Sequence, residues 1–145
     1  MPANNDPIYS KQGDVSSDGT TGMAQTFTTA AADYDGTTAT HNKVVFTADA
    51  TNGGFIQKLR FKAKGTNVAS VARIFINNGS TPATGTNNSF IGEVSLPATT
   101  AIANAATIEI DYPLNIAINP GFKILVGIGT TVAAGWVCTA IGGKY

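Results

Sequence analysis

Residues 55–65 read F-I-Q-K-L-R-F-K-A-K-G, which places Phe55, Leu59, Phe61 and Ala63 at one parity and Lys58, Arg60, Lys62 and Lys64 at the other. Side chains alternate between faces along a β-strand. A repeat of two therefore predicts a strand with one face on a core and a row of four cations on the other. Further short runs of the same kind are expected to be strands at 24–28, 43–47, 69–77, 90–96, 107–112, 122–129 and 136–142. Strong turn signals separate them: Asn52-Gly53-Gly54, Gly65-Thr66-Asn67, Asn77-Asn78-Gly79-Ser80, Pro97, Asn119-Pro120-Gly121 and Ala133-Ala134-Gly135. Asn and Gly reach positive φ readily, and Pro presets the first dihedral of a turn. No apolar i, i+3, i+4, i+7 stripe is sustained with caps, so a parallel sheet would lack its crossover helices. The alanine-rich tract 99–106 is short, follows Pro97 and reads as a loop. The expected fold is all-β: an antiparallel two-sheet β-sandwich, a jelly roll of about eight strands.

At 145 residues the chain is long enough for one domain with a core that needs no disulfide. Residues 1–22 are rich in Asn, Asp, Gly, Ser and Thr and poor in large apolar side chains. They read as an extended N-terminal arm, with a single sandwich over 23–145. Charged residues make up only 12% of the chain, about half the usual share, and small neutral residues replace them. Such a surface suits a protein whose faces are partly hidden by neighbours. Nine basic and nine acidic residues give no net field toward nucleic acid or anionic lipid. Acids nevertheless dominate 1–49, while 50–80 holds Lys58, Arg60, Lys62, Lys64 and Arg73 and no acid, so an acidic segment of one subunit could meet the basic strand of another. No run approaches the length of a membrane helix, and the first residues lack the basic and apolar regions of a signal peptide. Synthesis in a reducing, soluble compartment is expected, with no membrane partner.

The inventory of reactive groups is small. His41 is the only histidine, so a two-histidine metal centre has no ligands, and no nucleophile elbow accompanies it. Cys138 is the only cysteine and, in an apolar run, reads as a small buried hydrophobe. Glu109 and Asp111 share one face of a strand at a spacing that could serve glycoside hydrolysis, but solvated carboxylates or partners for the cation row explain them more simply. Asp33-Tyr34-Asp35-Gly36 has the look of half a calcium loop but lacks its periodic ligands, and reads as a turn. The cation row lacks interleaved stacking aromatics, which argues against nucleic acid. No enzyme activity, metal or cofactor is expected.

Two strands carry more apolar residue than one buried face needs. Phe75 lies opposite Ile74 and Ile76, beside Arg73, and Leu125 lies opposite Ile124 and Val126. An outward Phe75, Leu125 or Val137 would form an association patch, which points to a homo-oligomer. The residues expected to touch a partner are Lys58, Arg60, Lys62, Lys64, Arg73 and Phe75. An alternative is a carbohydrate- or receptor-binding module, with Trp136 or Tyr112 exposed near a loop cluster.

Several runs carry a resemblance: 56–67 I-Q-K-L-R-F-K-A-K-G-T-N, 71–79 V-A-R-I-F-I-N-N-G, 90–97 F-I-G-E-V-S-L-P, 122–130 F-K-I-L-V-G-I-G-T and 135–145 G-W-V-C-T-A-I-G-G-K-Y. Over residues 24–145 the chain resembles small virion proteins of tailed bacteriophages, of the jelly-roll decoration or capsid-cement kind. The resemblance implies a structural protein on the outer surface of a phage head, commonly a trimer, that links major capsid protein subunits. The binding module would, on the same footing, belong to a phage head or tail fibre.

Overall fold

The computed structural model describes residues 24–145; the expected arm over 1–22 lies outside the described residues. Eight strands form among the described residues: β1 (Ala24–Phe27), β2 (Lys43–Thr47), β3 (Gly54–Ala63), β4 (Ser70–Asn77), β5 (Asn88–Leu96), β6 (Glu109–Ile118), β7 (Lys123–Ile128) and β8 (Trp136–Lys144). They pair antiparallel into two four-stranded sheets, β1-β8-β3-β6 and β2-β7-β4-β5. The pairs β4 with β5, β3 with β6, β2 with β7 and β1 with β8 are those of one long hairpin whose tip lies between β4 and β5. Successive rungs of that hairpin fall alternately in the two sheets, which is the jelly-roll winding expected from the sequence.

The inward faces meet in a core containing Trp136, Phe27, Phe46, Phe61, Ile56, Leu59, Ile74, Ile124 and Ile128. Trp136 and Cys138 lie in it, and burial alone pushes the Cys138 thiol well up, so it stays protonated as a small apolar group.

Two strands depart from the simple alternation. In β3 the expected inward set began at Phe55, yet Ile56 is fully buried while Phe55 is half-buried on the other side. The register explains the change. Ile56 opposes Gly142 of β8 and Lys58 opposes Ile141, so Gln57 is an extra residue and the parity flips across it. From Lys58 onward the expected faces hold. β6 was expected to stop at Tyr112, before Pro113, but runs on to Ile118. It is an edge strand, where a proline need not donate to a neighbour, and Asn115 at φ 51 takes up a bulge against β3.

The two sheets also touch through an edge contact that one glycine makes possible. Tyr112 of β6 projects inward, and its phenol lies where a Cβ on Gly92 of β5 would sit. Any side chain at 92 must displace that ring or the strand beneath it. Gly92→Ala is therefore expected to lower unfolding stability by about 1 kcal/mol in a denaturant titration, the low end for overpacking, because both residues are half-buried and the ring can swing outward. Adding Tyr112→Phe, which removes the nearest atom, should recover part of the loss, and an additive double variant would contradict the contact.

Candidate interaction surfaces

The cation row lies on the outer face of the sheet β1-β8-β3-β6, where β3 runs beside β6. Arg60 opposes Asp111 and Lys62 opposes Glu109, so both carboxylates stand on the same face as the cations. Asp111 accepts from Lys58 Nζ at 2.6 Å and takes a two-pronged contact from Arg60, Nε at 2.9 Å and a terminal nitrogen at 3.2 Å. Glu109 stands 3.2 Å from Arg60 Nε. Hydrogen bonds from Arg60 and then Lys58 hold the Asp111 carboxyl far below the usual carboxylate range. Lys62 Nζ donates to the Thr107 carbonyl at 2.7 Å, and Lys64 is exposed beyond the end of β3. Two acids from β6 of the same chain thus answer Lys58 and Arg60, while Lys62 and Lys64 form no ion pair with a carboxylate among the described residues. Exposed pairs of this kind add little stability and are screened by salt.

Arg73 and Phe75 are not exposed, which corrects the expected association patch. Both lie on the outer face of the other sheet, as their parity predicts, but loop 28–42 covers them. Phe75 has no exposed surface and Leu125 likewise none; Arg73 is 9% exposed. Gly36, at φ 74, brings bare backbone down onto the Phe75 ring, where a Cβ would come within 3.2 Å. Phe90 of β5 flanks Phe75 at 5.4 Å between ring centroids, and Tyr34 meets Phe90 edge-on at 5.8 Å. Arg73 pins the loop from below: it donates to the Ala31 carbonyl at 3.0 Å and the Tyr34 hydroxyl at 3.1 Å. Its guanidinium lies 4.0 Å from the Tyr34 ring centroid, and Glu93 stands 3.9 Å from its Nε. The surplus apolar residue of β4 and β7 is a second, intrachain core.

The Asp-rich stretch closes this loop. Asp33 accepts from the backbone N–H groups of Gly36 at 3.0 Å and Thr38 at 2.8 Å and from Asn42 Nδ2 at 3.0 Å. Asp35 accepts from the Thr37 hydroxyl at 2.7 Å. These carboxylates are spent on a turn, and no group of three or more His, Cys, Asp or Glu side chains that could hold a metal occurs among the described residues.

The expected list omitted the surface that is left open. Loops 64–69, 97–108 and 129–135 meet at one end of the sandwich, stitched by Asn67. Its Oδ1 accepts from the N–H groups of Ala134 at 2.9 Å and Gly135 at 2.8 Å, and its Nδ2 donates to the Gly135 carbonyl at 3.1 Å. Backbone bonds between Asn67 and Thr99, at 3.0 and 2.9 Å, bind the second loop to the first. On this end Val68 is 57% exposed, Ile102 59% and Ile108 42%, among exposed alanines at 69, 98, 101, 103, 105, 106 and 133. Residues 97–108 carry no charge. Aliphatic side chains inside turns, where polar ones are usual, were the available signal. Trp136 is fully buried and Tyr112 is turned onto Gly92, so neither supplies the exposed aromatic of a loop-end sugar site.

Comparisons of the chain with protein-family models, curated proteins and solved structures find no match.

Two outcomes test the loop clamp. Arg73→Met should leave the strands protected from amide hydrogen exchange while protection in loop 28–42 falls by about tenfold or more, since hydrogen bonds from a charged donor are removed. Equal loss throughout the sheets would instead mean global destabilisation. Burial raises the Asp33 carboxyl, but hydrogen bonds from Thr38, Asn42 and Gly36 outweigh it, and the net displacement is downward. A depressed folded value means that the stabilisation is complete above the unfolded Asp value of about 3.9 and is lost as pH falls through the folded one. Loop exchange should therefore rise only in acid below about pH 4, and Asp33→Asn should flatten that dependence.

Proposed function

We propose that this chain is a structural virion protein that binds the outer surface of a phage capsid and cements or decorates it by linking major capsid protein subunits. On this reading it acts as a homotrimer, is made in the host cytoplasm and is carried on the virion surface. The observation that supports it is the loop end: Val68 on one loop and Ile102 and Ile108 on a second are exposed where three loops are cross-tied through Asn67. An aliphatic, uncharged and fixed surface is suited to a flat protein neighbour and offers few directional groups to a small ligand. On the outer face of β3 and β6, by contrast, Asp111 is paired with Lys58 and Arg60 of the same chain. The residues assigned to the capsid contact are Val68, Ile102 and Ile108, with Lys64 as an exposed cation at the same end of β3.

One observation favours the binding-module reading. Tyr34 is exposed, with the Arg73 guanidinium on its ring, and could stack on a sugar in place of Trp136 or Tyr112. Glycan-array binding lost on Tyr34→Ala, with no binding to phage heads, would favour that reading.

The direct test adds purified protein to heads that lack it, prepared from the phage that encodes it, and scores bound protein and heat release of DNA. Binding with raised heat resistance is expected. Val68→Asp with Ile102→Asp should weaken binding by about thirtyfold or more, because the exposed half of each aliphatic side chain, worth about 1 kcal/mol, is no longer buried and a charge is placed in the contact. Both positions are exposed, so the melting temperature should not change. Light scattering should give the mass of a trimer. Heads that neither bind the protein nor gain heat resistance would sink the proposal.

A further inference from the structure

Loop 28–42 leaves the sandwich after β1 and returns at β2, and β1 and β2 are edge strands of different sheets. At the neck of the loop lies a hollow of about 230 Å³ lined by Phe27, Thr28, Thr29, Thr40, His41 and Lys43. Phe27 closes the floor and is itself buried. Every other lining side chain can donate a hydrogen bond, and none is a carboxylate.

Those donors are largely unspent. The hydroxyls of Thr28, Thr29 and Thr40 and the imidazole of His41 make no hydrogen bond among the described residues. Lys43 Nζ gives one proton to the Thr26 carbonyl at 2.6 Å and stands 5.6 Å from the Phe27 ring centroid. That bond fixes the ammonium at the wall and leaves two protons for another acceptor.

The neck is held on both sides. The Val132 N–H donates to the Thr28 carbonyl at 2.8 Å, and the Ala30 N–H donates to the Thr131 hydroxyl at 3.0 Å. On the return side the N–H groups of His41 and Asn42 donate to the Thr38 carbonyl at 3.0 and 2.8 Å, and Asn42 is tied to Asp33. Groups ordered before binding add little entropic cost when a ligand arrives.

We propose that this hollow is a binding site for a small oxyanion, a carboxylate or phosphate on a molecule no larger than a monosaccharide. A charge-assisted contact with Lys43 would supply most of the attraction, and the three hydroxyls with His41 would orient the oxygens. The volume is that of about eight liquid waters, more than a bare phosphate needs and enough for a short organic frame. Such a site is independent of the capsid reading, because it lies at the side of the sandwich formed by β1 and β2 and uses none of Val68, Ile102 or Ile108.

The test is a heteronuclear NMR titration of the whole chain with inorganic phosphate, with glucuronate and with uncharged glucose. Saturable millimolar shifts confined to residues 27–29 and 40–43 are expected for phosphate or glucuronate and not for glucose. The stronger of the two identifies the source as a free ion or an acidic sugar. Lys43→Met should weaken binding about tenfold, as loss of a charged hydrogen bond does. Because Lys43 also joins β2 to β1, Thr40→Val and His41→Ala serve as variants outside that bond, each expected to weaken binding severalfold with an unchanged melting temperature. Absence of saturation with both anions, an equal response to glucose, or affinities untouched by Thr40→Val and His41→Ala would overturn the site.

Discussion

The closing of two apolar sheet faces on one another is the interaction on which the rest of this molecule depends. Trp136, Phe27, Phe46 and Phe61 reach no more than 1% exposure between the sheets, and they come from β8, β1, β2 and β3. No local hydrogen bond could gather these strands, because the partners of each lie far away in sequence: Ala24 opposes Thr139 and Gly54 opposes Lys144. Burial supplies the drive, and the nested hairpin supplies a winding that lets every strand contribute one face. Once that winding is fixed, so are the two outer faces and the two loop-bearing ends.

The outer faces are then managed in different ways. On β3 and β6 the polar parity is answered across the strand pair, with Asp111 between Lys58 and Arg60. On β4 and β7 the outer parity is apolar at Phe75 and Leu125, and water is kept away by loop 28–42. Covering an apolar face with a loop raises a problem of its own, since the underside of a loop carries backbone carbonyls. Arg73 resolves it by rising from the face with a forked donor that reaches the Ala31 carbonyl and the Tyr34 hydroxyl together. A lysine would bring one point charge to a position that calls for a planar fork. The loop is therefore part of the packed structure, and its two ends are held close enough to frame the hollow beside Lys43.

The sequence made the sheets legible and left their coverings hidden, for reasons that differ by residue. Alternation is local, so strands such as β2 could be read directly from apolar runs between turn signals. The phase of β3 before Gln57 could not, because a bulge is a property of the pairing: only the offset against Gly142 and Ile141 reveals it. The continuation of β6 through Pro113 could not be read either, because whether a strand tolerates proline depends on its being central or at an edge, which is a fact about the whole sheet. Parity placed Arg73 and Phe75 correctly on an outer face, but parity says nothing of what lies above that face. Their burial depends on Tyr34 and Gly36, some forty residues away, as the contact of Arg73 with Tyr34 across 39 positions makes plain. Asn67 was readable as a turn residue, whereas its role in joining three loops rests on contacts 32 and 68 residues distant.

Magnitudes also bear on how the loop end would have to be used under the proposed reading. Val68, Ile102 and Ile108 are already about half-buried, so covering the remainder would give roughly half of 1.5–3 kcal/mol apiece, a gross sum of about 2–5 kcal/mol. Bringing two bodies together costs about 4–15 kcal/mol in lost freedom at the usual standard state. A solitary copy would therefore bind only marginally through this end. Copies fixed to one another meet that cost nearly once for the set, so each further end adds most of its gross energy to the same complex. The small apolar surface and the expected oligomer thus require each other: a monomer with this end would be a poor cement, and an oligomer would need no larger patch. The neutrality of 97–108 fits the same logic, because every charge added there would have to be desolvated once per copy and the cost would multiply with the gain.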